Sequence, residues 1–250
     1  MNNIIGRNII TLAEVDSTNN YANQLKGDKA THGTVILTPT QTIGRGQRGN
    51  SWESEPGKNL TLSVILKHKD ITAPGHFMLN IFSSLSICHT VQKYTVSKCH
   101  IKWPNDIYIE NKKVCGILIE NTINGANISK SIIGIGLNVN QVSFSKNIPN
   151  PTSICSSSGT KVPIDEVLSQ LMENMNYFYT ALVNKEYKHL KHCYLAKLYR
   201  NGETHEFIDN TNNTRFSGKI IGINDIGQLQ ILDKLNKCRE FNFKEVEFII

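Results

Sequence analysis

The sequence predicts an α/β protein (α+β in the wider sense): a mixed β-sheet with helices packed on one face, followed by a small antiparallel β-barrel. Two long segments carry apolar residues at three- and four-residue steps, as helices with one buried face do. Shorter segments alternate apolar and polar residues, as strands do. From residue 201 onward only short strands and turns follow. We expect two domains, residues 1–200 and 201–250, and the second is small enough that it should dock on the first.

The N-terminal part predicts two strands joined through a short helix. Residues 8–14 are mostly apolar and form the first predicted strand. Ser17 and Thr18 are good N-cap residues, so a short helix is expected over 18–25. Residues 34–37 form a second apolar strand, which leads into a glycine-rich segment.

A central strand and a long helix come next. Apolar and polar residues alternate over 59–68, which predicts a strand in the middle of the sheet. Residues 75–94 predict a helix with one broad apolar face, which we assign to the core. The residues on this face are Phe77, Met78, Ile81, Phe82, Leu85, Cys88 and Val91.

The middle of the chain predicts a run of strands. Residues 99–103 form a short strand, and 104–106 form a turn by composition. Residues 107–109 and 114–119 predict a hairpin. A further strand over 130–139 is punctuated by glycines, which often mark the close approach of a backbone to a ligand.

The rest of the chain predicts a loop, two helices and the small barrel. Residues 143–162 are polar and contain prolines, so they predict a loop. Residues 163–183 and 186–198 predict helices. The expected strands of the barrel are 204–209, 215–223, 228–232, 238–243 and 246–249.

Composition bounds the class of protein. The chain has 250 residues, is 39% hydrophobic and 19% charged, and carries a net charge of +6. Lysines and arginines are scattered rather than massed on one helix, which favours a mildly positive cleft over a nucleic-acid-binding surface. The six cysteines lack Cys-x-x-Cys or zinc-site spacing and indicate reduced thiols, so we expect a cytoplasmic protein. No apolar run reaches the ~18–20 residues of a membrane span, and no membrane partner is expected.

Residues 38–52, the glycine loop, stand out from the rest of the chain. Gly44, Gly46 and Gly49 alternate with Arg45 and Arg48, and Trp52 follows. Glycines let a backbone approach a ligand closely, and arginines present donor pairs that suit carboxylate or phosphate. The pattern predicts a loop that grips an anionic ligand.

The glycine loop also matches Gly-x-Gly-x-x-Gly, the dinucleotide-binding fingerprint. That function requires a helix to begin at the last glycine. Pro56 and Gly57 lie where this helix should be, and no helical period of apolar residues appears. No Gly-Lys-Ser/Thr ends the loop, so a Walker A phosphate site is also disfavoured.

Four stretches occur together and in order: Asp16-Ser-Thr-Asn19, Gly44-Arg-Gly-Gln-Arg-Gly49 with Trp52, Lys102-Trp-Pro-Asn-Asp106, and Lys113-Val-Cys-Gly-Ile117. With Gly134-Ile-Gly-Leu-Asn138 behind them, this set resembles the biotin protein ligases over nearly the whole chain. The resemblance implies a catalytic domain related to class II aminoacyl-tRNA synthetases and an SH3-like C-terminal barrel. It also implies ATP, Mg²⁺ and biotin as ligands, biotinyl-5′-AMP as intermediate, and a lysine of a biotin carboxyl carrier protein as acceptor.

The resemblance also implies roles for single residues. The expected catalytic residues are Lys113, Arg48, Arg45 and Asp106, of which Asp106 would orient or deprotonate the acceptor lysine. The expected biotin site comprises Ser17, Thr18, Asn19, Gln41, Gly44, Arg45, Gly46, Gln47, Trp52, Lys113 and Gly116. The expected nucleotide site comprises Arg48, Trp52, Lys102, Asn105 and Asn138. No protein ligand is assigned to the Mg²⁺ that would accompany the ATP phosphates.

The sequence departs from the family pattern in two respects. Gln47 and Asn50 stand where the best-known bacterial member has arginines, which leaves open how long the adenylate is retained. About 15 residues precede Asp16, fewer than a helix-turn-helix domain needs. The resemblance is therefore to monofunctional ligases, with no DNA partner, acting as a monomer or homodimer.

Two alternatives stay open at this point. A lipoate or octanoyl transferase of related fold would also attach a carboxylate to a carrier lysine, but should lack the glycine loop with its arginines. A nucleic-acid-binding module could use Arg45, Arg48 and the small barrel, but would need base-stacking aromatics on a barrel face. The barrel instead offers phenylalanines spaced as core and strand-end residues. Taken singly, Asn105 and Asp106 could be turn residues and Lys113 a solvated hairpin residue.

Overall fold

The computed structural model describes residues 3–72 and 74–249, without the side chains of Arg48 and Pro74. Its larger part is a seven-stranded mixed sheet of order β1-β2-β3-β7-β6-β5-β4, in which only the β1–β2 pair is parallel. The strands are β1 (Ile9–Thr11), β2 (Val35–Thr38), β3 (Leu60–Thr72), β4 (Cys99–Lys102), β5 (Asp106–Ile109), β6 (Lys112–Asn124) and β7 (Asn127–Leu137). The predicted mixed sheet is confirmed.

The long helices cover one face of this sheet, as predicted. The helices are α1 (Thr18–Gln24), α2 (Phe77–Gln92), α3 (Ile154–Ser158), α4 (Ile164–Val183) and α5 (Tyr187–Lys197). On β3, Leu62 and Val64 pack in the cluster that includes α2 and α4. Ile65 points to the opposite face, where it packs with Ala22 of α1. The short helix α1 thus lies on the face that also carries the site.

Helix α2 is buried around most of its circumference, so its predicted single apolar face describes only part of its packing. Sequence periodicity missed this because α2 carries serines and a threonine among its apolar residues. Ser86 and Thr90 donate their hydroxyls to main-chain oxygens one turn earlier, at 2.7 and 2.8 Å. A hydroxyl satisfied in this way can be buried without leaving an unpaired polar group. Helices α4 and α5 both pack on α2.

Several element boundaries differ from the sequence expectation. β1 ends at Thr11, whereas β3 and β6 run to Thr72 and Asn124, beyond their predicted ends. The predicted polar loop contains the short helix α3, which the Ser153 side chain caps by accepting from the Ser156 amide at 3.0 Å. A five-residue helix has too few turns to show a helical period, and this explains why the sequence did not reveal it.

The C-terminal module is a second, antiparallel sheet of order β11-β10-β9-β8-β12. Its strands are β8 (Thr204–Asp209), β9 (Thr214–Ile223), β10 (Leu229–Asp233), β11 (Cys238–Phe241) and β12 (Val246–Phe248). No pairing joins β11 to β12 within residues 201–249, so the barrel is open. Phe207, Phe241 and Phe248 are buried between its strands, which leaves them unavailable as a stacking platform for bases.

One of the contacts that dock the module on the larger sheet is the turn that contains Gly227. Trp103 donates its indole N–H to the Gly227 carbonyl at 2.9 Å. Gly227 has a φ of +88°, and a side chain there would meet the Phe77 ring of α2 at 2.2 Å. The docking geometry therefore requires glycine at this position.

Two further expectations concern location. Among the described residues no helix is long and apolar enough to cross a membrane. All six cysteines are free thiols, and Cys88, Cys99 and Cys115 are buried. The cytoplasmic location stays a prediction.

Candidate active site

A cavity of about 450 Å³ lies on the α1 face of the sheet. Its floor is formed by β6 and β7, where Gly116 and Gly136 stand directly opposite each other in the strand register. Two facing glycines leave a depression in an otherwise side-chain-covered sheet. The glycine loop, the turn between β4 and β5, and the C-terminal module form the walls.

Trp52 of the glycine loop fills part of this depression. A side chain at Gly136 would lie 2.4 Å from the indole, and one at Gly116 would lie 3.0 Å from it. The Trp52 amide donates to the Gly44 carbonyl at 2.9 Å, and a side chain at Gly44 would strike the Trp52 carbonyl at 2.2 Å. Gly44, Gly116 and Gly136 thus leave the space that Trp52 occupies. Its buried indole nitrogen has no hydrogen-bond partner in the described part of the chain.

One end of the cavity, the polar end, is lined by Ser17, Thr18, Asn19 and Gln41 and backed by Ser63 of β3. Gln41 Oε1 accepts from the Thr18 amide at 2.8 Å and lies 3.1 Å from the Thr18 hydroxyl oxygen. The Ser63 hydroxyl lies 2.7 Å from Thr18 Oγ1 and 2.6 Å from Asn19 Oδ1. Buried polar groups that are held in this way fix the orientation of a polar ligand group and disfavour other orientations.

Arg45 points from the glycine loop toward β6. Its guanidinium makes an ion pair with Glu120 at 2.7 Å and a second contact to the same carboxylate at 3.3 Å. It also donates to Asn20 Oδ1 at 2.7 Å. In turn Asn20 donates to Asp16 at 2.6 Å, and this hydrogen bond is the main cause of the lowered pKa of Asp16.

The other end of the cavity carries lysines. Lys113 Nζ pairs with Asp106 at 2.7 Å and lies 5.7 Å from the centre of a Trp52 ring. Both members of the pair are partly exposed, at 27% and 23%, so ligand and solvent can reach them.

Lys102 lies deeper in the same end. Its ammonium contacts the Tyr108 hydroxyl at 3.2 Å and lies 5.1 Å from the Tyr108 ring and 5.2 Å from the Phe248 ring. Burial lowers the pKa of Lys102, and the negative charge of Asp106 opposes this effect. Lys102 is half-buried, and its ammonium pairs with no carboxylate among the described residues, so it can bind an anionic group.

Two predicted asparagines serve the frame of the site. Asn105 donates its amide to the Ile117 carbonyl at 2.6 Å, which holds the β4–β5 turn against β6. Asn138 donates to the Thr152 carbonyl at 2.9 Å. Its Oδ1 atom is buried and has no partner among the described residues, so this acceptor is available to a donor.

Most predicted residues meet in one cavity. The residues at its wall are Ser17, Thr18, Asn19, Gln41, Arg45, Gly46, Gln47, Trp52, Lys102, Asn105, Asp106, Lys113 and Gly116. Gly44 and Asn138 lie outside this lining, Gly44 against the Trp52 main chain and Asn138 at the end of β7. Arg48 belongs to a short 3-10 turn at Gln47–Gly49, and its side chain lies outside the described part of the structure.

Sequence reasoning missed two groups of residues. Ser63 and Glu120 connect to the polar end, and the only sequence signal was a polar residue inside an apolar strand. Phe243, Lys244, Glu247 and Phe248 of the C-terminal module also line the cavity. No local pattern could reveal them, because they reach the site only through the docking of the module.

The arrangement suits a ligand with a neutral polar head and an anionic tail. The polar end offers fixed donors and acceptors, Trp52 offers an apolar wall, and the lysine end offers charge for carboxylate or phosphate. In the described residues no three His, Cys, Asp or Glu side chains form a metal site.

Comparisons with known proteins give a consistent result. Residues 12–138 match the model of the biotin/lipoate A/B protein ligase family. The bifunctional ligase/repressor BirA of Bacillus spizizenii is 30% identical over 229 residues, which cover 90% of this chain and 70% of BirA. The biotin–[acetyl-CoA-carboxylase] ligase of Paracoccus denitrificans is 28% identical over 87% of this chain and 91% of its own.

The fold has a matching solved structure. Biotin protein ligase from Aquifex aeolicus, in complex with biotin and ATP, superposes with a TM-score of 0.79 at 27% identity, covering 96% of this chain and 98% of that one. Its coverage includes both sheets. The chain belongs to the biotin/lipoate A/B protein ligase family.

Proposed function

We infer that this protein is an ATP-dependent biotin protein ligase. It activates biotin with ATP to biotinyl-5′-AMP, releases pyrophosphate, and transfers the biotinyl group to a lysine of a biotin carboxyl carrier protein. The observation that carries this conclusion is a single cavity with a neutral polar end, a tryptophan wall and a lysine end. Relatives named biotin ligases share its fold over almost the whole chain.

The polar end favours biotin over lipoate. Thr18, Asn19 and Gln41 are buried or half-buried polar groups, and each keeps hydrogen-bonding capacity beyond the contacts it makes within the site. The ureido ring of biotin offers two N–H donors and a carbonyl acceptor, whereas the dithiolane ring of lipoate offers neither. Leaving buried polar groups unpaired costs roughly 1–3 kcal/mol each. Lipoate or octanoate is therefore the second candidate.

In the first reaction two anions must meet, since a carboxylate attacks the α-phosphate of ATP. We propose that Lys113 lies beside both reacting groups and neutralises charge that develops on the phosphate. Lys102, Arg48, Asn105 and Asn138 are proposed to hold the nucleotide. Mg²⁺ bound to the phosphate oxygens would neutralise part of the triphosphate charge. Trp52 above the glycine floor would exclude water from the mixed anhydride.

In the second reaction the acceptor lysine must lose a proton before it attacks. We propose that Asp106 accepts or orients this proton. Asp106 is paired with Lys113 at 2.7 Å. A phosphate near Lys113 would compete for this lysine, and the released carboxylate would then face the incoming amine. Formation of the adenylate would thus free the Asp106 carboxylate for the transfer reaction.

Two finer points are part of the proposal. We propose that residues 201–250 act as a module that completes the lysine end of the cavity through Phe248 and Lys244. We also propose that the protein has no role as a transcriptional repressor. The net charge of +6 suits ATP and an acidic carrier domain better than DNA, because the basic residues are not massed on one surface element.

The function can be tested by transfer to a carrier domain. The protein is incubated with biotin, Mg²⁺-ATP and an apo carrier domain, and the carrier is analysed by intact mass and peptide mapping. We expect one biotinylated lysine, and none when ATP is omitted. A carrier modified equally with lipoate in place of biotin would favour the second candidate.

A further inference from the structure

Glu120 on β6 belongs to neither the glycine loop nor the motifs that pointed to the site, yet it contacts both halves of the biotin-facing wall. One oxygen pairs with Arg45 at 2.7 Å. The other accepts from Asn19 Nδ2 at 2.7 Å and from Arg45 at 3.3 Å. Its side chain is 27% exposed, so the carboxylate is largely enclosed by these partners.

We propose that Glu120 is a positioning residue with two effects: it anchors the glycine loop to the sheet, and it sets the donor and acceptor polarity of the polar end. The second effect rests on the proposed function, because it concerns recognition of the biotin ureido ring. The first effect does not depend on the ligand.

The anchoring follows from the geometry of Arg45. This residue lies between Gly44 and Gly46, so its own backbone is held only by the turns of the loop. The paired contacts to Glu120 and the contact to Asn20 Oδ1 at 2.7 Å tie the loop to both β6 and α1. Charge-assisted, paired contacts of this type are stronger and more directional than neutral ones.

The polarity follows from the chemistry of each group in turn. A carboxylate only accepts hydrogen bonds, so the Asn19 amide must present its NH₂ group to Glu120 and its Oδ1 atom to Ser63. The Ser63 hydroxyl has one proton, which is then donated to Asn19 Oδ1 at 2.6 Å.

The contact between Ser63 and Thr18 must then use the proton of Thr18. These two hydroxyl oxygens lie 2.7 Å apart, and two oxygens at this distance require a proton between them. The Thr18 hydroxyl also lies 3.1 Å from Gln41 Oε1, but its single proton goes to the shorter contact with Ser63. Thr18 consequently presents lone pairs to the cavity, where the ureido N–H groups need acceptors. Gln41 Oε1 is already occupied by the Thr18 amide at 2.8 Å. Its NH₂ group is therefore the part left for a ligand carbonyl.

Glu120→Gln tests both effects with almost no change in shape. A glutamine can donate as well as accept, so it weakens the pairing with Arg45 and allows the Asn19 amide to turn over. Ser63→Ala interrupts the chain beyond Asn19 and leaves the Arg45 pair intact. Glu206→Gln is the matched control, because Glu206 pairs with Arg215 on the C-terminal module at 3.1 Å, outside the cavity lining.

Hydrogen–deuterium exchange of residues 38–52 is measured in ligand-free protein, and the KM values for biotin and ATP are measured in the adenylation assay. We expect Glu120→Gln to speed exchange of the loop and to raise the KM for biotin roughly tenfold to a hundredfold, as for lost charge-assisted bonds. The KM for ATP should rise by a clearly smaller factor than the KM for biotin, since only Arg48 among the residues proposed to hold the nucleotide lies on the loop. Ser63→Ala should raise the biotin KM while the loop exchanges as in the wild type.

Two results would overturn the proposal. Loop exchange that is the same in Glu120→Gln as in Glu206→Gln would remove the anchoring role. KM values for biotin and ATP that rise together, or neither of them rising, would remove the role in polarity. The exchange measurement needs no substrate, so it still decides the anchoring role if the wild type proves not to activate biotin.

Discussion

At the scale of single residues, the shape of the cavity depends on two positions that carry no side chain. Gly116 and Gly136 face each other under Trp52, and this seat was visible in the sequence only as glycines within a strand. Motif resemblance pointed to most of the residues at the cavity wall. It could not point to Ser63 or Glu120, because their roles arise from contacts across strands that lie far apart in sequence.

Gly136→Ala should displace Trp52 while leaving the strand intact. An alanine is compatible with an extended backbone, but its methyl group would lie 2.4 Å from the indole. Overpacking of this kind costs about 1–3 kcal/mol, so we expect adenylation to fall roughly tenfold to a hundredfold. Circular dichroism should be unchanged. Wild-type adenylation in this variant would show that the seat of Trp52 does not matter to catalysis.

Lys113 and Asp106 should separate the two reactions, although they are ion-paired at 2.7 Å. We expect Lys113→Ala to lower biotin-dependent pyrophosphate exchange by roughly 10²–10³, the usual cost of removing a group that stabilises developing charge. Asp106→Asn should leave exchange within a few-fold and lower transfer to the carrier by roughly 10²–10⁴. Exchange and transfer are assayed separately. Equal losses in both assays for Asp106→Asn would mean that Asp106 acts only by holding Lys113.

His68 should make the fold sensitive to acid. Burial, and to a lesser extent the charge of His32, lower the pKa of His68 to about 4, below its ordinary value of 6.5. The unfolded chain therefore binds this proton at a higher pH than the folded one does, and stability falls as the pH drops from 6.5 toward 4. Chemical denaturation of His68→Gln between pH 7 and pH 4 should show a smaller loss of stability than the wild type shows. An unchanged difference between the two proteins across this range would contradict the assignment.

At the scale of elements, the periodicity of apolar residues predicted which strands and helices exist better than it predicted how deeply each is buried or where each ends. Helix α2 was expected to bury one face. It is buried more widely because its polar side chains form hydrogen bonds within the helix, as the Thr90 hydroxyl does with the Ser86 carbonyl at 2.8 Å. Helix α3 was missed because five residues are too short for a helical period. Strands β6 and β7 extend to Asn124 and Asn127 as one long hairpin. Its outer, exposed part carries polar residues that gave no strand signal.

At the scale of the whole molecule, the docking of the C-terminal module completes the site. The sequence predicted that residues 201–250 would dock, but not that Phe248 would lie 5.2 Å from Lys102. The division at residue 201 stays a prediction. The docking turn at Gly227 offers a way to disturb the arrangement without touching the cavity.

Gly227→Ala should destabilise the protein more than Gly125→Ala does. Both glycines have positive φ, +88° and +60°, so both variants carry backbone strain of about 1 kcal/mol. Only at Gly227 would the new methyl group strike another residue, the Phe77 ring at 2.2 Å, whereas nothing lies within 4 Å at Gly125. We expect a total loss of about 2–4 kcal/mol for Gly227→Ala in denaturant unfolding. Equal losses in the two variants would show that the turn is not constrained by docking.

The most direct measurement of the central claim is ATP–pyrophosphate exchange with Mg²⁺, run with biotin, with lipoate and with neither acid. We predict exchange that depends on biotin and is lost in Lys113→Ala, because adenylation requires both anions to be neutralised in one cavity. Exchange that requires lipoate instead would assign the site to the second candidate, a lipoate ligase. Folded protein that shows no exchange with either acid would contradict the assignment of this cavity to carboxylate activation.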